Sequence, residues 1–171
     1  MEKGYLRVYT GNGQGKTTAA FGVLVRALCA GKSGYVGQFI KDEAYHETLL
    51  TRYFERLTIE QLGKGCFIDR NPDSTDKATA QAALRHVTEL MASGRYDIVV
   101  LDELTIAIYY NLISTQAVLD ALRQRSQATE VIVTGRYAPH ELIDAADLVT
   151  EMVEKKHYYQ QGVLSRDGFD H

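Results

Sequence analysis

Nine residues hold the densest chemistry in the chain: Thr10-Gly11-Asn12-Gly13-Gln14-Gly15-Lys16-Thr17-Thr18, directly after the apolar run Tyr5-Leu6-Arg7-Val8-Tyr9. Glycines at alternate positions let the backbone fold tightly, so that its N–H groups converge on phosphate oxygens without Cβ clashes. A helix opening at Lys-Thr points its positive N-terminal end at the same anion. This is the build of a triphosphate cradle, in which Lys16 reaches the terminal phosphates and Thr17 offers its hydroxyl to Mg2+. The common spacing G-x-x-x-x-G-K-[ST] places glycine at position 10, where this chain has Thr10. The competing reading is an ordinary glycine-rich turn.

A second group lies at Asp97-Ile98-Val99-Val100-Leu101-Asp102-Glu103. Four consecutive apolar residues suit a central parallel strand buried on both faces. Asp102 and Glu103 emerge at its carboxyl end, the edge at which open α/β sheets bind ligands. With Thr17 they make a hard-oxygen set for Mg2+, which needs only one or two protein contacts; a solvated acidic strand end is the alternative. Arg136 follows the apolar run Val131-Ile132-Val133-Thr134. Its planar fork matches phosphate oxygens, and a surface arginine fits equally well. No Ser-His-Asp or Cys-His arrangement is evident. Lys155-Lys156-His157 reads as a solvated charge run. The pairs Tyr109-Tyr110 and Tyr158-Tyr159 suit either core or the wall of a flat cleft.

The elements that must position these groups alternate in type. Thr17 to Ala30 is apolar on nearly every side and reads as a helix buried against a sheet, capped by Gly31. Strands are expected at Tyr35 to Ile40, Leu57 to Leu62, Val131 to Thr134 and Leu148 to Met152. Helices are expected at His46 to Phe54, Asp73 to Ser93, Ser114 to Arg125 and His140 to Ala145, with a loop over 63–72. Such alternation argues for an α/β domain with a parallel sheet flanked by helices, and right-handed crossovers put the strand-end loops on one rim.

At 171 residues the chain has a one-domain length, residues 1–171. Its net charge of -3 gives no basic stripe for nucleic acid. No apolar run approaches the ~20 residues that span a bilayer. The two cysteines, Cys29 and Cys66, give neither a metal spacing nor a disulfide framework. With Met1-Glu2-Lys3-Gly4 leading straight into the first strand, the expectation is a cytoplasmic protein without a signal peptide.

The string Tyr9 to Gly22 resembles the signature of the P-loop ATP:corrinoid adenosyltransferases, in which threonine at position 10 is usual. Collinear matches follow at Gly37-Gln38-Phe39-Ile40-Lys41, Val100-Leu101-Asp102-Glu103-Leu104-Thr105, Thr134-Gly135-Arg136 and Ala146-Asp147-Leu148-Val149-Thr150-Glu151-Met152. The tail matches through Lys156-His157, Gly162-Val163 and Gly168-Phe169-Asp170. The resemblance implies a P-loop NTPase-like α/β fold with a mostly parallel six-stranded sheet, and a homodimer. It implies transfer of the 5'-deoxyadenosyl group of ATP to a Co(I) corrinoid, cobalamin or a precursor, with release of triphosphate. A reductase or flavoprotein would supply the electrons.

By the same resemblance, Asn12, Gly13, Gly15, Lys16, Thr17 and Thr18 hold the phosphates, with Gly11 and Gln14 in the same loop. Thr17 and Glu103, with Asp102 nearby, hold Mg2+; Lys16 and Glu103 are the catalytic candidates, and Arg136 is the strand-end arginine. The chain departs from the family pattern at Gln14, where lysine is usual. It also has Cys66-Phe67-Ile68 where the family has Phe-x-Trp, a segment that helps strip the lower axial ligand from cobalt, so Phe67 is a corrinoid-contact candidate. The N-terminal extension of longer members, which helps cover the site, has no counterpart in the match. A nucleotide-binding protein of the same fold that carries a corrinoid or regulates, and a small-molecule kinase, remain alternatives; triphosphate with a Co–C bond, no product, or ADP would tell the three apart.

Overall fold

The computed structural model describes residues 3–40, 45–63 and 72–170. Six strands are present in this part of the chain: β1 Leu6–Thr10, β2 Gly34–Gln38, β3 Leu57–Gln61, β4 Ile98–Asp102, β5 Glu130–Thr134 and β6 Leu148–Glu151. They form one sheet in the order β3-β2-β4-β5-β1-β6. Every neighbouring pair runs parallel, so the sheet is more uniform than the mostly parallel one expected. The helices are α1 Lys16–Cys29, α2 Ser74–Ser93, α3 Leu104–Tyr109, α4 Thr115–Arg123 and α5 His140–Ala145, with 3-10 segments at His46–Arg52 and Tyr158–Gln161.

Alternation along the strands divides the core between the two faces. Tyr9, Val36, Ile98, Val100 and Ile132 pack with Ala20, Phe21, Leu24 and Leu28 of α1. Leu6, Val8, Tyr35, Val99, Leu101, Val131 and Val133 face the other way, onto residues of α2, α3, α4 and α5. Each fully buried aliphatic side chain contributes about 1.5–3 kcal/mol, so the central strands are held rigidly from both sides. The helix ends are set locally. Asp73 and Asp76 form a reciprocal capping box at the start of α2. Ser114 caps α4, and α1 stops at Cys29, with Gly31 left-handed just beyond.

Several elements differ from the sequence reading: β2 ends at Gln38 rather than Ile40, and a 3-10 turn at Tyr158–Gln161 stands where no helix was expected. The segment from His46 winds as a 3-10 helix to Arg52 rather than a longer helix to Phe54. Helix α3 was not expected at all. Its sequence, Leu-Thr-Ile-Ala-Ile-Tyr, reads as an apolar continuation of β4. Glu103 takes a left-handed conformation (φ 59°) that turns the chain sharply off the sheet, and Leu104, Thr105, Ala107 and Ile108 are buried by the turn. Cys66, Phe67 and Ile68 lie outside the described residues. Because all strands are parallel, the ends of β1, β4, β5 and β6 share one rim.

Candidate active site at the strand-end rim

The loop after β1 is locked from the side by the chain leaving β6. The Met152 N–H donates to the Thr10 carbonyl at 2.8 Å, and the Gly13 N–H donates to the Met152 carbonyl at 2.7 Å. Gly11 has φ +96°, and a Cβ there would sit 2.4 Å from the Met152 carbonyl oxygen. The glycine therefore serves both the turn and a close backbone approach. Thr10, which replaces the usual first glycine, is buried. Its hydroxyl accepts from the Ala138 N–H at 3.3 Å and ties the phosphate loop to the loop that carries Arg136.

Lys16 is only 7% exposed, and its Nζ donates to the Gly13 carbonyl at 2.7 Å. Burial lowers its pKa, and the nearby positive charge of Arg136 lowers it further, against the opposing pull of Glu103 and Asp102. Two cations brought this close in a partly desolvated cleft form a place for an anion.

Asp102 is fully buried at the end of β4. One carboxylate oxygen accepts from the Thr17 hydroxyl at 2.8 Å and from the Thr134 hydroxyl at 2.7 Å. The other accepts from Gln38 Nε2 at 3.1 Å. Gln38, itself fully buried, is fixed in turn because its Oε1 accepts from Gln61 Nε2 at 2.8 Å. Asp102 thus aims the Thr17 hydroxyl through a network spanning β2, β3, β4 and β5. Glu103 is half-buried beside it, with its N–H donating to the Thr134 hydroxyl at 3.0 Å. Gly135, at φ +133°, passes over Thr105 so closely that a Cβ would lie 2.2 Å from its hydroxyl oxygen. That hydroxyl donates to the Arg136 carbonyl at 2.6 Å and fixes the arginine's backbone.

These groups line one cleft of about 1080 Å³, which contains residues 12–18, Glu103 and Arg136. Of the sequence candidates, Gly11 lies beneath this wall against Met152, Asp102 lies behind Thr17, and Phe67 falls outside the described residues. The tyrosine pairs belong to the cleft rather than the core. Tyr110, Tyr158 and Tyr159 line it, and exposed Tyr109 stacks on Tyr137 with ring centroids 4.3 Å apart. Of Lys155-Lys156-His157, the two lysines are exposed, whereas His157 is half-buried and lines the cleft. Sequence reasoning missed Gln38 and Thr134 as parts of the site. The available signal was a glutamine inside an otherwise buried strand, and a threonine at a strand's carboxyl end.

The sequence profile of the family described as ATP:corrinoid adenosyltransferase BtuR/CobO/CobP matches residues 2–171. The chain belongs to this family of enzymes. It is 37% identical to the corrinoid adenosyltransferase of Pseudomonas aeruginosa over 171 residues, covering 99% of this chain and 84% of that protein. It is 34% identical to the corrinoid adenosyltransferase of Escherichia coli K12 over 170 residues, covering 99% of this chain and 87% of that protein. The corrinoid adenosyltransferase CobA of Salmonella typhimurium is 35% identical, with coverages of 99% and 87%. Among the described residues no helix is long and apolar enough to cross a membrane.

Proposed function

We propose that this adenosyltransferase moves the 5'-deoxyadenosyl group of Mg-ATP to the Co(I) centre of a corrinoid. The observation that carries the reading is the convergence of Lys16, Arg136 and the Asp102-held Thr17 hydroxyl on one cleft beside the glycine loop. The cobalt lone pair attacks C5', a Co–C bond forms, the C5'–O bond breaks, and inorganic triphosphate leaves with the bonding electrons. Co(I) is itself a strong nucleophile, so no protein base is required. The work left to the chain is to orient C5' toward cobalt and to stabilise charge building on the triphosphate.

Lys16 and Arg136 face that charge, and the loop N–H groups of residues 14–18 fix the phosphate oxygens, the Gly13 N–H being engaged by the Met152 carbonyl. The donor chemistry suits Mg2+, since Thr17 and Glu103 offer hard oxygens and Asp102 orients Thr17 from behind. Bound there, Mg2+ would supply neutralisation of the triphosphate. The Tyr110 and Tyr137 side of the cleft gives flat apolar surface for a substrate that excludes water. On the same reading the chain acts as a homodimer in the cytoplasm, and a separate electron donor such as a flavoprotein makes Co(I). Phosphorus NMR of the reaction mixture tests the reading. Triphosphate as the single phosphorus product is expected; ADP, or no cleavage with a reduced corrinoid present, contradicts it.

A further inference from the structure

The C-terminal tail is knotted onto the phosphate loop. Asp170 accepts at Oδ1 from Gln14 Nε2 at 2.7 Å and from the Tyr158 hydroxyl. At Oδ2 it accepts from Arg166 Nε at 3.1 Å and from the Arg166 N–H at 3.0 Å. The Tyr158 hydroxyl, whose proton goes to Asp170, also lies 3.4 Å from Gln14 Oε1. Arg166 lies over the rings of Tyr158 and Phe169, at 4.7 and 5.2 Å from their centroids. A second tie, His46 Nε2 to Asp167 Oδ1 at 2.8 Å, fastens the tail to the opposite wall. Gln14, His46, Tyr158 and Asp170 all line the nucleotide cleft.

The chemistry of the knot is unusual for its place. A carboxylate stands at the mouth of a site built for a polyanion, where a bare negative charge would repel the ligand. Here the charge is taken up by Tyr158, Gln14 and Arg166, and these donors hold the Asp170 carboxyl well below the usual carboxylate range. The Asp170 side chain is only 9% exposed. Where the family resemblance has a lysine, Gln14 offers a directional amide that donates to Asp170 and faces the Tyr158 hydroxyl at once. A point charge would not fix the loop's orientation in this way.

We propose that Asp170 is a positioning residue for MgATP: acting through Gln14 and Tyr158, it docks the C-terminal tail as a wall of the nucleotide site and sets the conformation of the outer phosphate loop. The proposal rests on the adenosyltransferase reading for its kinetic part only. The docking itself can be read separately, because the chain contains no tryptophan. Phe169→Trp places the chain's single tryptophan, excited at the red edge of its absorption apart from the tyrosines, beside Asp170 and against Arg166.

In that background, where position 169 is already largely exposed, Asp170→Asn and Gln14→Ala should each lower the steady-state anisotropy of the tryptophan as the tail comes off Gln14 and gains motion. In the chain with Phe169 intact, each should raise KM for MgATP by about tenfold, the worth of one hydrogen bond to a charged group, while kcat stays within about twofold. The double variant should be no worse than the poorer single one, and Asp170→Glu should recover part of the loss. Unchanged anisotropy overturns the clasp, and a fall in anisotropy with unchanged KM overturns the positioning role. Additive effects in the double variant, or a loss confined to kcat, also overturn it. Gln14 is exposed, so Gln14→Ala leaves the fold intact should Asp170→Asn prove unstable. If no adenosyl transfer is found at all, a fall in anisotropy still upholds the clasp and the adenosyltransferase reading alone falls.

Discussion

Replacing Asp102 by asparagine probes the site at its most constrained point. The carboxylate's donors include the hydroxyls of Thr17 and Thr134 and the amide of Gln38, in a fully buried position. An asparagine must turn its NH2 toward one side. Facing Gln38, it would oppose donor to donor, and Gln38 cannot flip without losing its bond from Gln61. Facing the threonines, it forces both hydroxyls to accept, although Thr134 already accepts from the Glu103 N–H. Either arrangement costs about 1–3 kcal/mol. For a domain of this size that is a fall in Tm of about 2–12 °C. The functional effect is larger than the loss of stability. A Thr17 hydroxyl that accepts from asparagine is turned out of the orientation in which it donates to Asp102, so its oxygen no longer presents to Mg2+ as before. Thermal melts and Mg2+ titrations of adenosyl transfer should therefore both move, with the half-saturating Mg2+ concentration rising about tenfold or more, the worth of one lost charged contact. A Tm within about 1 °C of the native chain, together with an unchanged Mg2+ requirement, would refute the reasoning.

Other expectations follow from the same geometry. Lys16→Ala should stay folded but lose about 2–4 kcal/mol of transition-state stabilisation, roughly 30- to 1000-fold in kcat/KM; near-native turnover would remove the phosphate-cradle reading. Glu103→Gln should raise the Mg2+ requirement while shifting Tm little, since the half-buried carboxylate sits at the rim rather than in the core. Gly135→Ala should cost about 1–3 kcal/mol of stability through its positive φ and the approach to Thr105, and it should depress activity further by displacing Arg136. Changing Cys66→Phe with Ile68→Trp restores the family's aromatic pattern and should improve turnover starting from Co(II)-cobalamin with a mild reductant; no gain, with the native chain already efficient, would show that the apolar-lid idea fails for this chain.

The fold was legible because its signals are local. Buried strands with four consecutive apolar residues, a helix apolar on nearly all sides, and glycine loops at strand ends can each be read within a window of ten residues. The phosphate loop belongs to this class. What could not be read depends on long-range geometry. Helix α3 has the composition of a strand, and only the left-handed turn at Glu103 takes it off the sheet. Asp102 and Thr17 both looked like metal ligands in the sequence. What the sequence did not carry is the 2.8 Å hydrogen bond from the Thr17 hydroxyl to the Asp102 carboxylate. Gln38 and Thr134 complete the network only because the strand order brings β2 and β5 to either side of β4. The contact between Gln14 and Asp170 joins residues 156 positions apart, and no periodicity or motif spacing carries that information. The loop containing Phe67 lies outside the described residues, so its relation to the cleft rests on the family resemblance.

The most direct measurement is an anaerobic single-turnover reaction of this chain with chemically pre-reduced Co(I) corrinoid and Mg-ATP. The visible spectrum is followed alongside triphosphate release, with the Lys16→Ala protein as control. The expected result is conversion of the Co(I) spectrum to that of a Co–C bonded product, with one triphosphate formed per cobalt and both processes slowed at least about 30-fold in the control. A Co(I) spectrum that persists with intact ATP, or Co–C formation equally fast in the Lys16→Ala protein, would contradict adenosyl transfer at this phosphate loop.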